Sequence, residues 1–269
     1  MDLEEVELLF SEESIVTNSH QVLVSLIFLL CACWGTAAAG DEIQATVVRR
    51  PATVPANVHY AGNREPLLAS PLVRLPVGTV KPRGWLRKQM ERMADGFTGH
   101  LDELSDFLRP EGNAWLSPQG EGDKSSWEEL PYWLKGFGDL GYLLDDPRII
   151  KEARRWIEAA LASERDDGYF GPRNNAGKSP DVKAGKADMW PNMVMLNALQ
   201  SYHEYSGDDR VLKLMARYFR WQLSIPEADF LLPFWQQQRA ADNLASVYWL
   251  YNRTGESWLL ELGEKIHRR

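Results

Sequence analysis

The chain has 269 residues, with 30 Lys and Arg against 38 Asp and Glu, which gives a formal net charge of −8. Nucleic-acid-binding proteins usually carry a basic face, so this balance argues against nucleic acid as a partner. Hydrophobic residues make up 44% and charged residues 25%, which excludes disorder of the whole chain. The two cysteines, Cys31 and Cys33, lie in an apolar N-terminal run, so the rest of the chain has neither a disulfide framework nor a thiolate metal site.

The N-terminal segment is typical of a targeting sequence. Residues 22–34 are apolar but shorter than the about 20 residues that span a membrane, and Ala37-x-Ala39 fits a cleavage site. The first residues are acidic where a signal peptide is usually basic, so an uncleaved anchor or a lipoprotein acylated at Cys31 stays open. We expect 1–39 to be a signal peptide or an anchor. Secretion or export to the periplasm is favoured, with membrane contact only through an uncleaved segment.

Downstream, the chain changes from an extended to a helical pattern. Residues 40–80 are rich in proline and β-branched residues and lack a helical period, which predicts an extended lead-in. From residue 81 onwards, apolar residues recur at helical spacing, and helices alternate with loops. We therefore place the helical domain at 81–269.

An internal repeat predicts the fold class. Amphipathic helices open at Asp146, Asp208 and Glu256, each after a more apolar helix that ends near a tyrosine. Repeated helical hairpins form stacked arrays, and apolar inner helices with polar outer helices are typical of a closed α/α toroid. We expect the acid to cap each outer helix, and Gly207 and Gly255 to end the inner helices before them. The prediction is all-α: a partial (α/α)6 toroid of the six-hairpin glycosidase type, apparently truncated to its N-terminal half.

The predicted site consists of the loops that lead into the inner helices, which we call the inner-helix loops. They are residues 120–133, 183–193 and 233–243. Helix N-terminal amides face the ligand there, and each loop combines a carboxylate with a nearby tryptophan. Sugar rings stack on indoles, while carboxylates bind hydroxyls or act as acid and base. The candidate catalytic residues are Glu128, Asp188 and Asp242. The candidate substrate-binding residues are Trp127, Glu128, Asp188, Trp190, Arg239, Asp242 and Asn243.

The same residues also have a purely structural interpretation, in which none of them contacts a ligand. Asp188 and Asp242 would then cap helices, and the tryptophans would cover the core. The turn 166–172 after the first outer helix predicts, in addition, that Tyr169 and Phe170 form a wall of the cleft.

Several phrases of the sequence are together similar to one known family. They are PVGTVKPRGWLRKQM, GFTGHLDEL, SWEELPYWLKGFGDLGYLLDDPRI, RDDGYFGP, MWPNMVMLNALQSY and DNLASVYWLYNRTGE. From about Leu75 to the C-terminus the chain resembles glycoside hydrolase family 127, the β-L-arabinofuranosidase-like group. The resemblance implies a six-hairpin α/α barrel that removes a terminal sugar, β-L-arabinofuranose or a similar one, from plant-type polysaccharide or glycan. It also implies a cysteine nucleophile and a zinc ion bound by cysteines and a glutamate in the second half of the barrel.

The sequence departs from the family pattern at two points. It has no cysteine after Cys33, so the resemblance places the zinc and the nucleophile downstream of this chain. We therefore expect no cofactor in this chain and little or no activity from it alone. The family's His-Glu-x-x-x-x-x-His pattern falls on Ala187, Asp188 and Val194, where only the acid is kept, which indicates a divergent branch.

Three functional hypotheses follow. The first is a glycoside hydrolase with carbohydrate as its partner. The second is a non-catalytic carbohydrate-binding protein, and the third is a helical scaffold for a protein partner with Trp127 and Trp190 buried in its core. Polysaccharide lyases and unsaturated glucuronyl hydrolases also use α/α toroids, but their anionic substrates favour a basic cleft, unlike these acidic loops.

Overall fold

Helices provide all the regular structure in the described residues, and no strand occurs among them. The structure, a computed structural model, describes residues 61–122, 127–173, 188–232 and 234–269. The predicted targeting segment and the lead-in up to residue 60 lie outside these ranges. The helices are α1 (Gly84–Asp95), α2 (Leu101–Leu104), α3 (Glu129–Leu144), α4 (Pro147–Ala162), α5 (Trp190–Ser206), α6 (Arg210–Ser224), α7 (Phe234–Gln238), α8 (Ala240–Thr254) and α9 (Trp258–His267).

Three helical hairpins form two layers. Helices α3, α5 and α8 lie side by side as the inner layer, while α4, α6 and α9 pack outside them. The middle inner helix, α5, is buried along most of its length because it has neighbours on both sides and behind. The outer helices bury a single stripe, as Ile149, Ala153 and Ile157 do on α4. This asymmetry confirms the predicted all-α, toroid-like arrangement of hairpins.

Each inner helix ends at a residue in the left-handed region. Gly207 ends α5 with φ 72° and Gly255 ends α8 with φ 74°, as predicted. Glycine suits this conformation because it has no Cβ. Asp145 takes the same conformation after α3, with φ 58°. Among the described residues, no helix has the length and apolar character that a membrane crossing requires.

The predicted acid cap is confirmed at α4, where a carboxylate oxygen of Asp146 accepts the backbone N–H of Arg148 at 2.9 Å. At α6 the N-cap residue is Asp209, which makes no side-chain cap, so the prediction of a cap at Asp208 was one residue off. The carboxylate of Asp208 still accepts the Arg210 backbone N–H at 3.0 Å. The prediction for Glu256 was wrong. Its carboxylate accepts the indole N–H of Trp258, and α9 begins without a side-chain cap. The side chain of glutamate is one methylene longer than that of aspartate, so it extends past the backbone amides to the indole.

Residues 64–81, the end of the lead-in and the first residue after it, cross the carboxyl ends of all three inner helices. Lys81 Nζ donates to a backbone carbonyl near the end of α3 at 2.7 Å. Arg74 lies 3.5 Å from the carboxylate of Glu204 on α5. The backbone N–H of Arg64 donates to Asn252 Oδ1 on α8 at 2.9 Å. Each inner helix therefore has a cationic residue at its negative end, where the helix dipole favours positive charge.

Replacing Lys81 with methionine is expected to lower the free energy of unfolding by about 1 kcal/mol, because the ammonium group bonds both the Tyr142 carbonyl and Asp145. Urea denaturation followed by far-UV circular dichroism measures the change. Lys151→Met on the exposed side of α4 is the matched control and is expected to change stability by less than about 0.5 kcal/mol. Equal losses in the two variants would show that the Lys81 contacts contribute nothing.

Candidate functional site

The three inner-helix loops bring their tryptophans and carboxylates together at the N-terminal ends of the inner helices. Trp127 and Glu128 directly precede α3. Asp188 precedes α5, and Trp190 is the first residue of that helix. Trp235 lies in the short helix α7 just before α8. The structure therefore places residues of all three loops at one end of the inner layer.

The first two loops exchange tryptophan–carboxylate hydrogen bonds. The Trp127 indole N–H donates to Asp188 Oδ2 at 2.9 Å. In return, the Trp190 indole N–H donates to the carboxylate of Glu128. Because each loop supplies one donor and one acceptor, this reciprocal pair fixes the start of α3 relative to the start of α5.

Asp188 accepts further hydrogen bonds and is 1% exposed. The Trp235 indole N–H lies 3.2 Å from Oδ2 and 3.3 Å from Oδ1, and the Trp190 backbone N–H lies 3.0 Å from Oδ1. Burial raises the pKa of the Asp188 carboxyl, the three N–H donors oppose that shift, and the charge of Glu128 adds to it. Both oxygens of Asp188 are thus occupied by protein donors.

Trp190 is enclosed by its neighbours. It is 2% exposed, with the guanidinium of Arg239 4.5 Å above its ring centroid. The ring of Tyr132 meets it edge to face at 6.0 Å. A cation over an indole face is a favourable contact, so the packing is stable without a ligand. A substrate contact by Trp190 stays a prediction.

Tyr132 is a site residue that sequence reasoning missed. Its side chain is 49% exposed, although it lies in an otherwise apolar helix. Burial raises the pKa of Tyr132, the charge of Glu128 raises it further, Arg239 opposes the shift, and Asp242 adds to it. These groups therefore lie close together. The signal was its position one helical turn after Glu128, on the same face of α3.

The remaining predicted residues differ in accessibility. Asp242 is exposed at the start of α8, and Arg239 is partly exposed just before it. Asn243 is fully buried, and its amide exchanges hydrogen bonds of 2.7 Å and 3.3 Å with the amide of Gln222 on α6. That exchange joins α8 to α6. A sugar contact by Asn243 stays a prediction.

The expectation that Tyr169 and Phe170 form a cleft wall was wrong, because both side chains are fully buried. The phenol of Tyr169 lies 3.3 Å from Asn192 Oδ1, and the Asn192 amide donates to the Phe170 carbonyl at 2.7 Å. Gly168 and Gly171 have φ 93° and 84°, which lets the backbone fold these rings under the loop. Through the hydrogen bonds to Asn192, the turn packs against the first turn of α5.

The described residues do not form a metal centre. Within 61–122, 127–173, 188–232 and 234–269, no three His, Cys, Asp or Glu side chains are placed to bind one ion. Both cysteines lie outside these ranges. The zinc implied by the family resemblance therefore does not fit the side chains of this part of the chain, and we derive no step through it.

The hairpin layers, with indoles and carboxylates at the N-terminal ends of the inner helices, define an α/α-toroid protein of glycosidase type. The chain belongs to glycoside hydrolase family 127: the model described as "Beta-L-arabinofuranosidase, GH127 catalytic domain" matches residues 79–269. Comparisons with curated proteins and with solved structures found no match.

Proposed function

We propose that this protein is a glycoside hydrolase-like protein that removes a terminal sugar from plant-type polysaccharide or glycan. The sugar is β-L-arabinofuranose or a similar one. The observation that carries the proposal is the match of residues 79–269 to the GH127 catalytic domain. Export through residues 1–39 is part of the proposal and rests on their sequence pattern.

The inner-helix loops are the proposed sugar site. Trp127 is partly exposed and offers an indole for stacking on a sugar ring. Glu128 and Asp242 are the carboxylates that best suit acid–base chemistry, because both are accessible and both lie near Tyr132. In glycoside hydrolysis one carboxylic acid protonates the leaving oxygen, and a second carboxylate attacks the sugar or activates water. Asp188 suits this role less, because protein donors occupy both of its oxygens.

A second candidate function is carbohydrate binding without hydrolysis. It is favoured by the reciprocal bonds between the loops, which use the Asp188 and Glu128 carboxylates to hold tryptophans. The departures from the family's cysteine and histidine pattern also favour binding without hydrolysis.

Binding and release of a model sugar test both candidates. We expect saturable binding of p-nitrophenyl β-L-arabinofuranoside by calorimetry, and Trp127→Ala is expected to weaken it about tenfold, or 1.4 kcal/mol. Trp85→Ala is the matched control, because that tryptophan is 79% exposed on α1, outside the inner-helix loops. Release of p-nitrophenol that falls in Glu128→Gln supports hydrolysis by the carboxylates of this chain, whereas binding without release rejects that catalytic role for Glu128. Failure of the wild type to bind any arabinofuranoside would reject both.

A further inference from the structure

Two partly exposed tryptophans share one buried acceptor. Trp127 and Trp235, which we call the indole pair, meet edge to face with centroids 6.2 Å apart and planes at 86°. Both indole N–H groups point to the carboxylate of Asp188. The pair therefore consists of two rings from different loops, joined through one acid.

This arrangement needs a side chain with two accepting oxygens, and a carboxylate has them. The two oxygens of Asp188 accept the two indoles and also the Trp190 backbone N–H. An asparagine would have only one accepting oxygen, and its NH2 group would face an indole donor. Among the described residues, no Lys, Arg or His is paired with this carboxylate, and burying an unpaired charge is costly. A site that only filled space would not need a charge here.

Neither ring of the indole pair is held in place by a stable helix of its own. Trp235 lies in a helix of five residues, too short to be stable by itself. Trp127 comes before the first turn of α3. The orientation of both rings therefore depends on contacts with other segments, and Asp188 is the contact that they share.

We propose that Asp188 is a positioning residue that holds the indole pair in a fixed arrangement, and that sugar binding depends on Asp188 through these two rings. The dependence of binding rests on the proposed function, whereas the control of ring geometry does not. Preformed aromatic surfaces bind more tightly because less side-chain freedom is lost on binding.

The first test is Asp188→Asn, measured by near-UV circular dichroism and by titration with p-nitrophenyl β-L-arabinofuranoside. We expect the tryptophan signal of the indole pair to be lost, far-UV circular dichroism to be kept, and affinity to fall about tenfold. Asp166→Asn, which removes an exposed acid from the turn after α4, is the charge-matched control and is expected to change neither signal. Unchanged near-UV signal in Asp188→Asn would overturn the proposal.

The second test removes the donors and keeps the rings. Trp127→Phe combined with Trp235→Phe is expected to reproduce the loss of affinity. Adding Asp188→Asn to that variant is expected to cost little more, because the coupled groups are already absent. Additive losses would overturn the proposal, and this test also applies if Asp188→Asn alone does not fold.

Acidification gives a third readout that needs no sugar. Burial raises the pKa of Asp188, so the near-UV signal is expected to change with a midpoint above the ordinary value of about 3.9. The titratable groups facing it are Glu128 and the phenol of Tyr218. Asp188→Asn is expected to abolish the transition. If it does so while the wild type binds no sugar, the positioning role stands and the proposed function fails.

Discussion

Replacing Trp115 with alanine is expected to lower the free energy of unfolding by about 3–5 kcal/mol. Trp115 is fully buried and packs against Phe170 with ring centroids 6.4 Å apart. The backbone at Gly171 also lies against the indole, since a Cβ there would be 2.7 Å from the ring. These neighbours are held in a hydrogen-bonded turn, so they cannot collapse into the space that the indole leaves.

Trp115→Phe is the matched control for this loss. Phenylalanine keeps most of the buried ring, and the indole N–H that it removes is a buried group without a hydrogen-bond partner in the described structure. We expect the phenylalanine variant to lose less than about half as much as the alanine variant, because it leaves a smaller cavity. Urea denaturation followed by far-UV circular dichroism measures both. If the alanine variant unfolds at the same urea concentration as the wild type, the ring does not support this turn.

Replacing Lys265 with methionine is expected to cost about 2–4 kcal/mol. Its ammonium group is buried and donates to the backbone carbonyls of Gln222 and Leu223 at 2.9 Å, and also to that of Ile225. These carbonyls lie at the C-terminal end of α6, where the last turn of a helix lacks its i+4 donors. The Gln222 carbonyl also accepts the backbone N–H of Ile225 at 3.3 Å. Methionine fills a similar volume but removes the ammonium donor from all three carbonyls.

Lys213→Met, on the exposed side of α6, is the matched control for Lys265→Met and is expected to change stability by less than about 0.5 kcal/mol. Thermal and urea unfolding at pH 7 compare the two. A loss in Lys265→Met no larger than in the control would contradict the role of this lysine. The contact matters for the site because Gln222, whose carbonyl it bonds, also exchanges hydrogen bonds with Asn243 at the start of α8.

Packing contacts and hydrogen bonds connect the proposed site to the buried side chains of Trp115 and Lys265. Trp115 packs under the turn that carries Phe170, and the carbonyl of Phe170 accepts the Asn192 amide in the first turn of α5. Asp188 and Trp190 lie at the same helix end. Variants that loosen the turn are therefore expected to weaken the indole geometry as well as the stability of the fold.

The sequence by itself determined the features that depend on near neighbours. The hairpin repeat, the αL glycines Gly207 and Gly255, and the cap at Asp146 follow from side-chain periodicity and from bonds to backbone groups two residues away. The family resemblance likewise depends on short phrases, and it agrees with the matched range 79–269. Such features can be predicted because their partners are adjacent in the sequence.

Only the tertiary structure decided which tryptophan bonds which acid. The reciprocal bonds join residues 61 and 62 positions apart, and composition gives no sign of that pairing. The same holds for the exposure of Tyr132 and the burial of Tyr169, which depend on helices packed from elsewhere in the chain. The sequence predicted indoles and carboxylates at the inner-helix loops. Whether each group faces solvent or another protein group is set by long-range packing, because exposure is a property of the assembled layers.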